Sequence, residues 1–226
     1  MKTQIFMLLV ILMASGLPIF GQEMINAEIT YINNEGFMIS NNAKKIFIDA
    51  LYYYSYGAGI PNTEPYLRDM IMKEEKPFDG SELFMITHNH PDHYDQTMMT
   101  SYLEHHPKSV LVADSSIIKP LVSKFGKQLF SSNPPKYAFV DTIVNGFPLT
   151  VYNLLHDVGY RIYNVGYKVD IDGLTIFHSG DNTLEDSTEY IKCGLENEAI
   201  DIAFLNHNAF LKTQANSDFF KKHLNA

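Results

Sequence analysis

One seven-residue stretch, Thr87-His88-Asn89-His90-Pro91-Asp92-His93, constrains the chain more than any other feature. It follows an apolar run, Leu83-Phe84-Met85-Ile86, with the length and composition of a short buried strand. In an extended backbone His88 and His90, two positions apart, point to the same side. Pro91 donates no ladder hydrogen bond and ends the strand. The turn it forces lets Asp92 and His93 face a second point. The spacing therefore predicts one metal ion held by His88 and His90 and a second held by Asp92 and His93. Imidazole and carboxylate donors together suit zinc best, with manganese or iron also compatible. The competing reading is a polar loop of solvated histidines. That reading suits a lone histidine better than four ligand-type side chains packed against a strand end.

The rest of the chain supplies a frame large enough to hold such a site. Its 226 residues suffice for one sizeable domain. With 46% hydrophobic and 19% charged residues, it is globular rather than disordered. A net charge of -9 disfavours nonspecific binding to nucleic acid or to anionic membranes. The single cysteine, Cys193, rules out an intrachain disulfide and a multi-cysteine zinc site, and it reads as a half-buried filler. Residues 1–21 have the pattern of a secretory leader: Lys2, an apolar run from Ile5 to Ala14, a break at Ser15-Gly16-Leu17-Pro18, and Gly21 before Gln22. That run is shorter than the ~20 residues of a spanning helix. The expectation is a mature domain of residues 22–226, periplasmic or secreted, with no stable membrane insertion. An uncleaved N-terminal anchor is the alternative.

Strands are expected at Glu28–Ile32, Phe37–Ile39 and Lys45–Asp49, separated by Asn-rich turns. Residues 51–80 are irregular and rich in tyrosine, with a short helix over Tyr66–Met72; they suit either a lid or a packed surface segment. Asp95 reads as the N-cap of a helix running to His105, whose last turn takes up His105-His106 as partners of the helix dipole rather than as ligands. A strand at Ser109–Ala113, a helix from Ser115 or Ser116 to Lys127, and strands at Phe139–Asn145 and Phe147–Leu155 follow. The pair Asp172-Gly173 marks a hairpin between two alternating strands. A helix over Glu185–Cys193, a buried strand at Ala199–Leu205 and a last helix capped by Ser217 complete the order. Strand–helix alternation of this kind indicates a layered α/β domain.

The order His-x-His-x-Asp-His after an apolar strand resembles the signature of the metallo-β-lactamase superfamily. The segments Asn164-Val-Gly-Tyr167 and His178-Ser-Gly-Asp181 resemble its L-ascorbate-6-phosphate lactonase-like branch. The resemblance implies a four-layer αββα sandwich. It implies that His156 is the third histidine of the first metal and that Asp181 bridges two zinc ions. Asp49, ending the third strand, would orient a ligand histidine, or else is a turn residue; His178 would be buried or support a ligand. The family supplies one more histidine from a later strand, which this sequence does not contain. The expectation is a C-terminally incomplete domain, with His207 the better substitute ligand and His223 a surface residue. The implied activity is hydrolysis of a small-molecule lactone, ester, amide or phosphodiester by a metal-bound hydroxide, with Asp92 as ligand and proton shuttle. A phosphodiesterase or lipid hydrolase of the same fold, or a non-catalytic metal-binding member, are the alternatives.

Overall fold

The computed structural model describes residues 27–53, 62–156, 159 and 162–224. The leader-like segment and most of the tyrosine-rich run lie outside them. The first half builds a sheet from β1 (Ala27–Asn33), β2 (Gly36–Asn41), β3 (Lys44–Ile48), β4 (Leu83–Met85), β5 (Val110–Ala113) and β6 (Leu129–Ser131), in that order. β1 to β3 are antiparallel, whereas β3 to β6 run parallel. Parallel neighbours need crossovers. These are made by α1 (Pro65–Met72), α2 (Gln96–His105), and the short α3 (Ser115–Ile118) and α4 (Val122–Phe125). The second half builds a sheet from β7 (Phe139–Val144), β8 (Phe147–Asn153), β9 (Val165–Ile171), β10 (Leu174–His178) and β11 (Ile202–Phe204). Its spatial order is β11-β10-β9-β8-β7. α5 (Thr188–Lys192) crosses from β10 to its parallel neighbour β11, and α6 (His207–Leu211) and α7 (Gln214–His223) follow.

Side-chain alternation sorts these elements into four layers. Successive strand residues face opposite sides. In β3, Ile46 and Ile48 join a core shared with the second sheet, while Phe47 between them joins the core under α1 to α4. β4 repeats the division, with Leu83 and Met85 inward and Phe84 outward. The Phe84 ring stacks on Phe47 at 5.2 Å and meets the edge of Tyr102 from α2 at 5.3 Å, which pins that helix to the sheet. β10 places Ile176 between the sheets and Phe177 against α5 and α7. The result is the αββα sandwich of the metallo-β-lactamase fold. Among the described residues no helix is long and apolar enough to cross a membrane.

Turn and cap chemistry follows the sequence in most places. Asp172-Gly173 and Asn145-Gly146 both take positive φ, as two-residue hairpin turns require. Asp95 caps α2 by accepting from the Met98 amide at 2.8 Å. Four local expectations are corrected. The helix expected from Ser115 to Lys127 is interrupted by 3-10 turns at Lys119–Leu121 and Gly126–Gln128, the first containing Pro120, which lacks the amide an α-helix would use. Asp114, not a serine, caps its first turn. The last helix starts three residues before Ser217, with Thr213 as its cap. Cys193 is fully buried rather than half-buried.

Candidate metal centre

The first-half sheet delivers its parallel strands to one edge, and the second-half sheet ends there too. Open α/β sheets gather ligand sites at the carboxyl ends of their strands. Asp49 follows β3, the histidine run follows β4, His156 follows β8, Asp181 follows β10 and Asn206 follows β11. β4 itself stops at Met85, so His88 and His90 lie in the turn beyond it and not on an extended ladder. Their convergence comes from that turn: the His93 and Tyr94 amides both return to the His90 carbonyl, at 3.0 and 2.9 Å.

His88, His90, His156 and Asp181 each offer one donor atom, and these atoms all lie within 4.8 Å of one another. His88 Nε2 is 2.8 Å from His90 Nδ1. Asp181 Oδ2 faces His88 Nε2 at 3.8 Å, His156 Nε2 at 3.7 Å and His93 Nε2 at 3.5 Å. Asp181 thus stands between the group expected to hold the first metal and the His93 side expected to hold the second. Asp92, 7% exposed, has a buried Oδ1 with no hydrogen-bond partner. On its other side, the Asn34 amide nitrogen lies 3.4 Å from Asp92 Oδ2 and 3.5 Å from His93 Nε2.

The chemistry of these donors fits a divalent cation. Asp49 is fully buried and accepts three bonds: from the Thr87 amide (2.8 Å), from the Thr87 hydroxyl (2.6 Å) and from His93 Nδ1 (2.9 Å). Because Thr87 gives its hydroxyl proton to Asp49, its oxygen is left to accept from His88 Nδ1 at 3.0 Å. Both histidines therefore have Nδ1 committed to an outer partner and Nε2 turned toward Asp181, the orientation a metal-ligating imidazole needs. Burial first, and the His93 charge second, hold His88 below the ordinary imidazole range; burial and His156 do the same for His90. Neutral imidazole is the ligating form. Burial also pulls His93 down, but the Asp49 and Asp181 carboxylates outweigh it and leave it well above the ordinary value. Burial works against the Asp181 carboxylate; the His93 hydrogen bond and charge, helped by His88 and His156, overcome it and keep it ionised.

The remaining expected residues sit around this group. His178 is buried, accepts from the Gly180 amide at 3.0 Å and turns Nε2 to the Glu35 carbonyl at 3.1 Å, so it supports the β1–β2 turn. His207 opens α6 in an exposed position, outside the four-residue group, and lines a cavity of about 160 Å³ with Glu35, Phe37, His178 and Phe204. His223 makes a partly exposed pair with Glu196.

Several further residues position the site without being marked for that role by the sequence. Glu189 in α5 accepts from the Leu155 amide (2.7 Å) and from Asn182 Nδ2 (2.5 Å), binding the residue before His156 to the residue after Asp181. Asn164 accepts from the Asp181 amide at 3.1 Å. Gly180, at φ +55°, passes so close that a Cβ there would fall 2.3 Å from Asn164 Oδ1. Asn206 donates to Asp181 Oδ1 at 2.9 Å and to Glu35 Oε1 at 3.0 Å. Asn164 precedes β9 and Asn206 follows β11, a positional signal that Glu189, inside α5, does not carry.

A family model described as a beta-lactamase superfamily domain matches residues 28–205. The chain belongs to this superfamily. No curated protein matches its sequence. Among solved structures, Igni18, a metallo hydrolase from Ignicoccus hospitalis, is similar at 20% identity and TM-score 0.53, over 78% of this chain and 69% of that one. CmlA, a diiron β-hydroxylase from Streptomyces venezuelae, is similar at 13% identity and TM-score 0.55, over 88% of this chain and 40% of its own. A possible metal-dependent hydrolase from Veillonella parvula is similar at 16% identity and TM-score 0.50, over 71% of this chain and 66% of that one. At these identities the likeness is one of fold. Metallo hydrolases and a diiron β-hydroxylase thus share this fold, and the fold alone does not choose between metals.

Proposed function

We propose that this protein is a metal-dependent hydrolase that cleaves a lactone, ester, amide or phosphodiester bond in a small molecule. The observation that carries the reading is the convergence of three imidazoles and Asp181 at the strand ends, with His88 held in the ligating tautomer through Thr87 and Asp49, and His93 oriented by Asp49. A bound divalent ion would supply Lewis acidity and a water of lowered pKa. His88, His90 and His156 are the side chains that would hold it, and Asp181 is the carboxylate that reaches toward a second ion. Asp92 offers a buried oxygen without a partner, placed to take a proton from a nucleophilic water and pass it to the leaving group. Zinc is the ion this donor set suits best, with manganese or iron as alternatives. The Asn164–Tyr167 and His178–Asp181 segments favour the lactonase-like branch. The leader-like pattern of residues 1–21 favours action in a periplasm or outside the cell.

The test is a panel of chromogenic lactones, esters, amides and phosphodiesters, assayed with the chain reconstituted separately with zinc, manganese and ferrous iron. At least one ion is expected to give turnover that disappears with chelator and in His88→Ala, and that falls sharply in Asp92→Ala. Turnover that survives both chelation and His88→Ala would show that the reaction uses another site. Full turnover in Asp92→Ala would remove that residue from the mechanism.

A further inference from the structure

The turn between β1 and β2, Asn33-Asn34-Glu35-Gly36, is built into the metal centre from the opposite side to the histidine run. A Cβ on Gly36 would lie 2.7 Å from the Asp49 carbonyl and 2.9 Å from that of Asn33, so only glycine lets the turn press onto the end of β3. Asn34 takes φ +45° and is fixed by its own amide donating to Asn33 Oδ1 at 2.8 Å. Its side-chain amide reaches the Asp92 carbonyl at 3.3 Å, as well as Asp92 Oδ2 and His93 Nε2. The next carbonyl, that of Glu35, is held by His178.

These restraints leave the Glu35 carboxylate beside Asp181. A single amide nitrogen, Asn206 Nδ2, donates to Glu35 Oε1 at 3.0 Å and to Asp181 Oδ1 at 2.9 Å. Burial and the Asp181 carboxylate push the Glu35 carboxyl well above its usual range, so without a cation the pair shares a proton, and a cation between them would take that proton's place. A chain of contacts leads on from Asp181. His93 Nε2 lies 3.5 Å from Asp181 Oδ2, with its Nδ1 already committed to Asp49. Asn34 joins His93 Nε2 to Asp92 Oδ2, and the other oxygen of Asp92 is buried without a partner. His207, the residue expected to complete this position, is exposed on α6.

The geometry points to Glu35 as a ligand of the second metal ion, with Asp92, His93 and Asp181, at the position the superfamily resemblance assigns to a later histidine. This rests on the metal-dependent reading above. A carboxylate there makes the second position harder and more oxygen-rich than the first, so it favours manganese or ferrous iron over zinc relative to the three-histidine position.

The experiment is calorimetric titration of the full chain, stripped of metal, with zinc chloride and with manganese chloride, beside Glu35→Gln, Glu35→Asp, His207→Ala and His90→Ala. The expected result is two ions per chain, with Glu35→Gln weakening only the second by ~10–100-fold, the scale on which metal sites respond to loss of a positioned partner. Glu35→Asp, which keeps the charge, should retain the second ion, and His207→Ala should retain both. Retention of the first ion by Glu35→Gln shows that the variant is folded; should it bind neither, Glu35→Asp and His207→Ala decide the matter. Unchanged second-site affinity in Glu35→Gln, loss of the second ion in His207→Ala, its loss in Glu35→Asp, or one ion in the unaltered chain would each overturn the role of Glu35 while leaving the hydrolase reading in place. No ion in the unaltered chain would overturn both.

Discussion

Asp49→Asn and Asp49→Ala are expected to lower affinity for the first added metal ion by ~10–100-fold and to lower thermal stability by about 10 °C. Asp49 touches neither expected ion, yet its carboxylate accepts from the Thr87 amide, the Thr87 hydroxyl and His93 Nδ1. Without it, the Thr87 hydroxyl is free to turn its proton toward His88 Nδ1, which reverses the tautomer that leaves Nε2 for the metal. His93 loses the partner that holds its ring. Breaking a buried, charge-assisted set of this kind costs ~3–5 kcal/mol. Asn is the more informative replacement, because residue 49 sits at φ +47°, where asparagine is tolerated and alanine is strained. The amide can still accept one bond, so Asp49→Asn should keep more stability than Asp49→Ala while losing comparable metal affinity. Calorimetric zinc titration and thermal unfolding of the metal-free chain read the two effects separately. Metal affinity within twofold of the unaltered chain in both variants would show that the Asp49–Thr87–His88 relay does not set the ligand.

Glu189→Ala is expected to destabilise the fold about as much as the Asp49 variants, by ~2–5 kcal/mol. The side chain is fully buried, and its two oxygens satisfy the Leu155 amide and the Asn182 side chain. Asn182 in turn donates to the Leu155 carbonyl at 2.8 Å and accepts from the Tyr190 hydroxyl at 3.0 Å. Removing the carboxylate leaves buried donors without acceptors, ~1–3 kcal/mol each, and frees the segments that carry His156 and Asp181. Burial raises the Glu189 carboxyl from 4.5 to about 7 against the lowering effect of its two donors. The native state therefore holds this proton more tightly than the unfolded chain. Its contribution to stability is complete below about pH 4.5 and is lost as pH rises through about 7, by up to ~3 kcal/mol. The stability difference between the unaltered chain and Glu189→Gln, read by urea unfolding of the metal-free proteins, should shift against the unaltered chain between pH 5 and pH 8. A difference that stays flat with pH would mean that Glu189 is ionised throughout.

Local patterns in the sequence were enough for most strands and turns because each depends on neighbours only, while the four-layer stacking was implied by the family resemblance. The alternation of Ile46, Phe47 and Ile48 assigns each residue to its layer, and Asp172-Gly173 marks its hairpin without help from the rest of the chain. The histidine run is legible for the same reason: its four donors are contiguous. His156 and Asp181 are different. Nothing in their own surroundings marks them as partners of His88, and only the family resemblance connected them. Asp49 was legible as a supporting residue through the family resemblance, but Glu189 and Glu35 were not. Glu189 looks like a polar residue in a short helix, and Glu35 like the tip of a turn. Each acquires its role from a contact made across the fold, Glu35 meeting Asn206 171 positions away. The misplaced helix cap at Ser217 has a simpler origin, since Thr213 offers the same hydroxyl one turn earlier and the backbone takes the first.

A metal ion held by His88, His90, His156 and Asp181 can be seen directly. Anomalous diffraction at the zinc absorption edge, from crystals of the full chain grown with zinc chloride, tests it most directly. The expected result is an anomalous peak within coordination distance, ~2.0–2.2 Å, of His88 Nε2, His90 Nδ1 and His156 Nε2. Ordered side chains at those positions with no peak among them, or zinc found only at other residues, would contradict it.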